Sequence, residues 1–111
     1  MTAMDRKEAA KQFKEQKVPQ GIFAIRCRPS GATWVDGSRN LNASRNRSWV
    51  ELRSGHHRDK PLQAEWNTHG EEAFDFEILE TLDEDVSPIV VHDLLKKQKE
   101  HWAAHLKAHR L

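Results

Sequence analysis

At 111 residues, 32% charged and 37% hydrophobic, the chain has material for one domain with a modest core, not for two. No apolar run approaches the ~20 residues that a membrane-spanning helix needs, and the opening MTAMDRKEAAKQFKEQK lacks the apolar segment of a secretory leader, so neither a span nor a leader is expected. A single cysteine, Cys27, excludes an intrachain disulfide and fits a cytoplasmic location; a lone strand cysteine is expected to serve as a small buried apolar residue.

The formal net charge of +1 conceals a segregation. Eight basic residues stand against three acidic ones between Arg26 and Lys60, whereas Glu71 to Asp85 holds eight acids and no Lys or Arg. Such asymmetry points to a face for an anionic partner.

In chain order, residues 5–17 form a predicted helix whose Ala9, Ala10 and Phe13 share one side and cover the sheet. Pro19 ends it. GIFAIRC (Gly21 to Cys27), a Pro29-Ser30-Gly31 link and ATWVDGS (Ala32 to Ser38) follow, two β-rich runs that predict a hairpin. Period-two alternation sends Ile22, Ala24 and Arg26 one way and Phe23, Ile25 and Cys27 the other. Asn40 is placed to cap a helix reaching about Ser54, stopped by Gly55; Asp59 caps a second, with Pro61 in its first turn and Gly70 at its end. AFDFEILETL predicts a third strand, with Phe74, Phe76 and Ile78 inward and Asp75, Glu77 and Glu80 outward. Ser87-Pro88 opens a last helix over 87–110.

GIF at Gly21-Ile22-Phe23 and Trp34-Val35-Asp36, followed by Gly55-His56-His57, Leu62-Gln63, Trp66-Asn67, His69-Gly70, Phe74 and Leu79-Glu80, resemble the GIY-YIG nuclease family over 21–82. The resemblance implies an α+β fold, a small three-stranded antiparallel sheet flanked by helices, here in a single domain 1–111 with an extra N-terminal helix. It also implies a metal-dependent phosphodiesterase site, in which tyrosines or a histidine manage the proton of the attacking water, an arginine offsets developing charge and a glutamate holds a divalent metal.

Position by position this chain departs from that site. Phe23 lacks the hydroxyl of the first motif tyrosine, and Trp34, at the second, donates a hydrogen bond but accepts no proton. The chain has no tyrosine. The arginine position falls on Ser44, with Arg45 turned ~100° away on a helix. The helix histidine falls on Ser48, and the metal-binding glutamate on Lys99, with Glu100 beside it facing elsewhere. His57 alone matches. Asp36 replaces the motif glycine, with Gly37 next to it to take over the turn.

The expectation is therefore a catalytically inactive relative without cofactor or metal, binding DNA or RNA non-specifically through Arg39, Arg45, Arg47, Arg53 and Arg58, with Trp34 or Trp49 stacking on bases if exposed. The alternatives are an interaction domain that dimerises through the last helix, and an active Mg²⁺-dependent endonuclease with unusual residues. His101, His105 and His109 recur every four residues, a spacing that can hold Zn²⁺ on one helix face; surface histidines are the commoner explanation.

Overall fold

A computed structural model describes residues 18–83 and 85–111, so the expected helix over 5–17 lies outside the described residues. The elements are β1 (Gly21–Cys27), β2 (Thr33–Ser38), α1 (Leu41–Arg53), α2 (Lys60–His69), a 3₁₀ turn (Glu71–Ala73), β3 (Phe74–Thr81), α3 (Pro88–Leu106) and β4 (His109–Arg110). The three expected caps form. Asn40 accepts from the Ala43 N–H at 3.0 Å, Asp59 from the Leu62 N–H at 2.9 Å and Ser87 from the Ile89 N–H at 3.3 Å. No described helix is long and apolar enough to cross a membrane.

Among the described residues the sheet has four strands rather than three, in the order β3-β1-β2-β4, and it is mixed: β4 pairs parallel to β2, Trp34 with His109 and Val35 with Arg110. The predicted helix over 87–110 ends early, at Leu106. Lys107 takes a left-handed conformation (φ 54°, ψ 44°), and its N–H returns to the carbonyls of Ala103 and Ala104. The chain then runs back along β2, where the Leu111 N–H donates to the Val35 carbonyl at 2.9 Å. His109 therefore leaves the helix that carries His101 and His105, and its ring lies 5.7 Å from that of Trp34.

β1 is central, and helices cover both its faces, which is why both faces are apolar. Phe23, Ile25, Cys27 and Trp34 meet Leu41, Trp49 and Leu52 of α1 and Leu62 and Trp66 of α2 on one side. Ile22, Ala24 and Val35 meet Val91, Leu95 and Ala103 of α3 on the other. Trp34, Trp49 and Trp66 are buried, so none is free to stack on a base.

The alternation along β3 breaks near its end. Ile22 pairs with Glu80 while Phe23 pairs with Ile78, leaving Leu79 as the extra residue of a bulge. Ile78, expected inward, is 48% exposed. Glu80, expected outward, turns under α3, where it accepts from the Trp102 indole N–H at 2.8 Å and from the Gln98 amide at 3.0 Å.

Two glycines allow close approaches. A Cβ on Gly21 would stand 1.9 Å from the Glu80 carbonyl oxygen, so β3 can lie here only because β1 starts with glycine. Gly37, expected in a turn, lies within β2, and a Cβ there would meet Leu95 Cβ at 3.3 Å; its role is to seat α3 against the strand.

Candidate functional site

Beside the start of α1, a cleft of about 390 Å³ opens between β1, β2, α1 and the loop before α2. Phe23 floors it. Its ring is held by stacking on Phe76 at 4.8 Å and is only 3% exposed. Ser44 and Ser48, one turn apart on the inner face of α1, line one wall and are 8% exposed each. The Ser44 hydroxyl shares a short hydrogen bond with Ser38 Oγ, which also accepts the Asn40 N–H at 2.9 Å; this ties the end of β2 to the first turn of α1.

His57 closes the cleft from the loop before α2. Its Nδ1 accepts the Asp59 N–H at 3.0 Å, which places the proton of the neutral ring on Nε2, and its own backbone N–H donates to Gln63 Oε1 at 3.0 Å. Gln63 in turn donates to the Leu52 carbonyl at 3.0 Å, joining both helices behind the histidine. Burial pushes the His57 imidazole below its ordinary value of 6.5, and neighbouring Glu51 opposes that effect.

Four of the six positions singled out by the resemblance, Phe23, Ser44, Ser48 and His57, thus share one cleft. Trp34 does not line it: it is 2% exposed beneath His109. Lys99 lines an adjoining hollow of about 700 Å³, donating to the Leu111 carbonyl at 3.2 Å and standing 3.6 Å from Asp36 Oδ1. Glu100, expected to face elsewhere, lines the same hollow and pairs with Arg110 at 3.2 Å.

The five arginines separate. Arg39, Arg47 and Arg58 line the cleft. Arg45 lies with its guanidinium 5.8 Å from the Trp49 ring centre, and Arg53 makes a two-point pair with Glu71 at 2.7 and 2.6 Å. That pair raises the Arg53 pKa and lowers that of Glu71. Arg26 pairs with Glu77 at 3.1 Å and Arg28 with Asp75 at 2.5 Å. Part of the charge segregation in the sequence is therefore met inside the molecule, where the acidic segment lies against the basic one.

Asp36 is the residue that the sequence did not single out as part of a site. It sits opposite Phe23 in the β1–β2 register and lines both hollows, with its side chain 17% exposed. It receives Arg58 at 2.9 Å and the Gly37 N–H at 2.8 Å. The signal was present as a carboxylate at a motif glycine, which the sequence suggested only as a lost glycine. The two hollows share Asp36, Gly37, Arg39 and Leu111 and so form one groove, lined by six Lys or Arg side chains and three acidic ones.

Solved structures share this architecture. The catalytic domain of the homing endonuclease I-TevI superposes with a TM-score of 0.70 at 22% identity, over 83% of this chain and 97% of that one. A mutant catalytic domain of the intron endonuclease I-TevI superposes at 0.69 with 23% identity, over 81% and 86%. The fold is the GIY-YIG fold. The antiparallel strands β1, β2 and β3 and the helices flanking them meet the architecture that the sequence resemblance implied, and the short parallel β4 adds to it. No family model matches the sequence, and no curated protein does.

Proposed function

We propose that this GIY-YIG-fold chain binds nucleic acid through phosphate contacts along the groove, without hydrolysing it. The observation that carries the proposal is the groove's charge, with Arg39, Arg47 and Arg58 on the cleft and Lys96, Lys99 and Arg110 beyond it. Side chains of this kind hold phosphates without reading sequence. A fold shared with an endonuclease catalytic domain makes nucleic acid the partner to test first.

Four features of the cleft support the absence of hydrolysis. Phe23 offers no hydroxyl at the cleft floor, and the Ser44 hydroxyl is engaged with Ser38. The cleft carboxylate Asp36 already holds Arg58 with Lys99 nearby, which disfavours its use as a metal ligand. His57 presents a donor at Nε2, suited to a phosphate oxygen rather than to accepting a proton.

Fluorescence anisotropy with labelled single- and double-stranded DNA and RNA, at about 50 and about 200 mM salt, tests the reading. Binding that weakens steeply with salt, with a slope reduced by roughly 0.9 for each of Arg39→Ala and Arg47→Ala, is the expected result. Absence of binding at low salt overturns it, and cleavage in Mg²⁺ or Mn²⁺ that is abolished in His57→Ala overturns the inactive part. Ile89, 88% exposed, and Val90, 48% exposed, at the start of α3 favour the second reading, self-association through that helix; a concentration-independent monomer in light scattering argues against it.

A further inference from the structure

Ten residues beyond the Asp59 cap, at the opposite end of α2 from His57, a second group of side chains converges. His69 ends α2, and Glu65 lies one turn before it on the same face, with Oε2 3.8 Å from His69 Nε2. Cys27 ends β1 with its side chain on the face that α2 covers. One ligand atom from each of the three, Sγ, a carboxylate oxygen and an imidazole nitrogen, lies within 4.8 Å of the other two.

We infer that Cys27, Glu65 and His69 form a three-ligand Zn²⁺ site with a fourth position open to water. Zn²⁺ takes sulfur at about 2.3 Å, nitrogen at about 2.0–2.1 Å and carboxylate oxygen at about 2.0–2.2 Å in a tetrahedron, which sets the ligand-to-ligand edges at about 3.4–3.6 Å. The Glu65–His69 separation of 3.8 Å is already close to such an edge, and small side-chain rotations draw in the third ligand.

The placement suits the ion in three further ways. The backbone of Cys27 is fixed at the hairpin: its N–H donates to the Ala32 carbonyl at 2.9 Å and its carbonyl accepts the Gly31 N–H at 2.8 Å. Glu65 and His69 keep 29% and 27% of their side-chain surface in water, which provides the entry path and the solvent ligand, while Cys27 is fully buried. The charges also cancel. Zn²⁺ replaces the thiol proton, which leaves to solvent as the S–Zn bond forms, and thiolate plus carboxylate then offset the ion's two positive charges. A neutral centre is the arrangement that a site against an apolar core tolerates. The thiolate–imidazole–carboxylate set selects Zn²⁺ or Co²⁺ over Mg²⁺, which prefers oxygen ligands in octahedral geometry. The bound ion would clamp the end of β1 to the end of α2, away from the cleft.

The test uses the whole chain, freed of metal with a chelator and titrated with Co²⁺. Because Cys27 is the chain's one cysteine, a thiolate-to-cobalt charge-transfer band in the near ultraviolet reports this ligand alone. The expected result is such a band saturating at one ion per chain, bleached by Zn²⁺ and untouched by Mg²⁺, with a Zn²⁺-dependent rise in Tm. Cys27→Ser abolishes the band. Glu65→Gln and His69→Ala, at partly exposed positions that leave the apo circular-dichroism spectrum intact, each weaken cobalt binding by more than the roughly 10- to 100-fold that loss of an outer-shell partner costs. Cobalt bound without a thiolate band, as His101 and His105 alone would hold it, overturns the assignment. So does a band whose affinity is unchanged in both Glu65→Gln and His69→Ala.

Discussion

Asp36 Oδ2 accepts a hydrogen bond from Arg58 at 2.9 Å, linking the second strand to the loop before α2 across the cleft. The carboxylate also stands 3.6 Å from Lys99, so one acid restrains two cations of the proposed groove. Asp36→Asn keeps the shape and the acceptor for the Gly37 N–H but removes the charge. If phosphates bind there, the variant binds nucleic acid more tightly at low salt, and its salt slope steepens by about 0.9 for each cation released. Paired anisotropy titrations of the two proteins check this.

Arg53 and Arg47 lie on the same helix, yet their variants should differ. The Arg53 guanidinium is committed to both oxygens of Glu71, whereas Arg47 lines the cleft and has no acidic partner among the described residues. Arg53→Ala leaves the nucleic-acid isotherm unchanged, while Arg47→Ala weakens it at low salt. Equal losses in the two variants would mean that binding follows overall charge rather than the groove.

His57 gives stability a pH dependence with a defined sign. Its folded pKa lies below the ordinary 6.5, chiefly through burial. Between the folded value and 6.5 the unfolded chain therefore binds the extra proton, and stability rises with pH across that window. The stabilisation is complete above about 6.5 and is lost as the pH falls through the folded value. His57→Asn, which can still accept the Asp59 N–H, flattens this part of the curve in urea unfolding followed from pH 7.5 to pH 5.

Gly21→Ala tests the tightest of the close approaches that glycines allow here. With a Cβ placed 1.9 Å from the Glu80 carbonyl, the start of β1 and the end of β3 must part. The loss is about 3 kcal/mol or more, a large fraction of the 5–15 kcal/mol that a domain usually has. Urea midpoints measure it. Gly37→Ala, with 3.3 Å to a side-chain carbon, should cost less.

The sequence was most informative where one residue dictates local geometry. Asn40, Asp59 and Ser87 each mark a helix start because a side-chain oxygen there has a defined backbone donor to meet. It was least informative where geometry depends on distant partners. Nothing in His109-Arg110 marks a strand: two residues become one because β2 leaves an edge open and Lys107 turns the chain back. Ile78 and Glu80 exchanged environments because a bulge at Leu79 breaks the period on which the expectation rested. In the site, Phe23, Ser44, Ser48 and His57 could be placed together by resemblance. The commitment of Arg53 to a residue 18 positions away, and of Arg58 to one 22 positions away, could not be read from charge alone.

The four tryptophans are divided by the sheet. Trp34, Trp49 and Trp66 lie in the cluster beneath α1 and α2, whereas Trp102 stands across the sheet with its indole N–H held by Glu80. The protein thus carries separate optical labels on its two halves. Trp102→Phe leaves emission from one side only, and its difference from the parent spectrum isolates the other. Detachment of α3 can then be timed independently of the loss of the α1–α2 layer, so the order in which the two sides come apart is measurable without adding a dye.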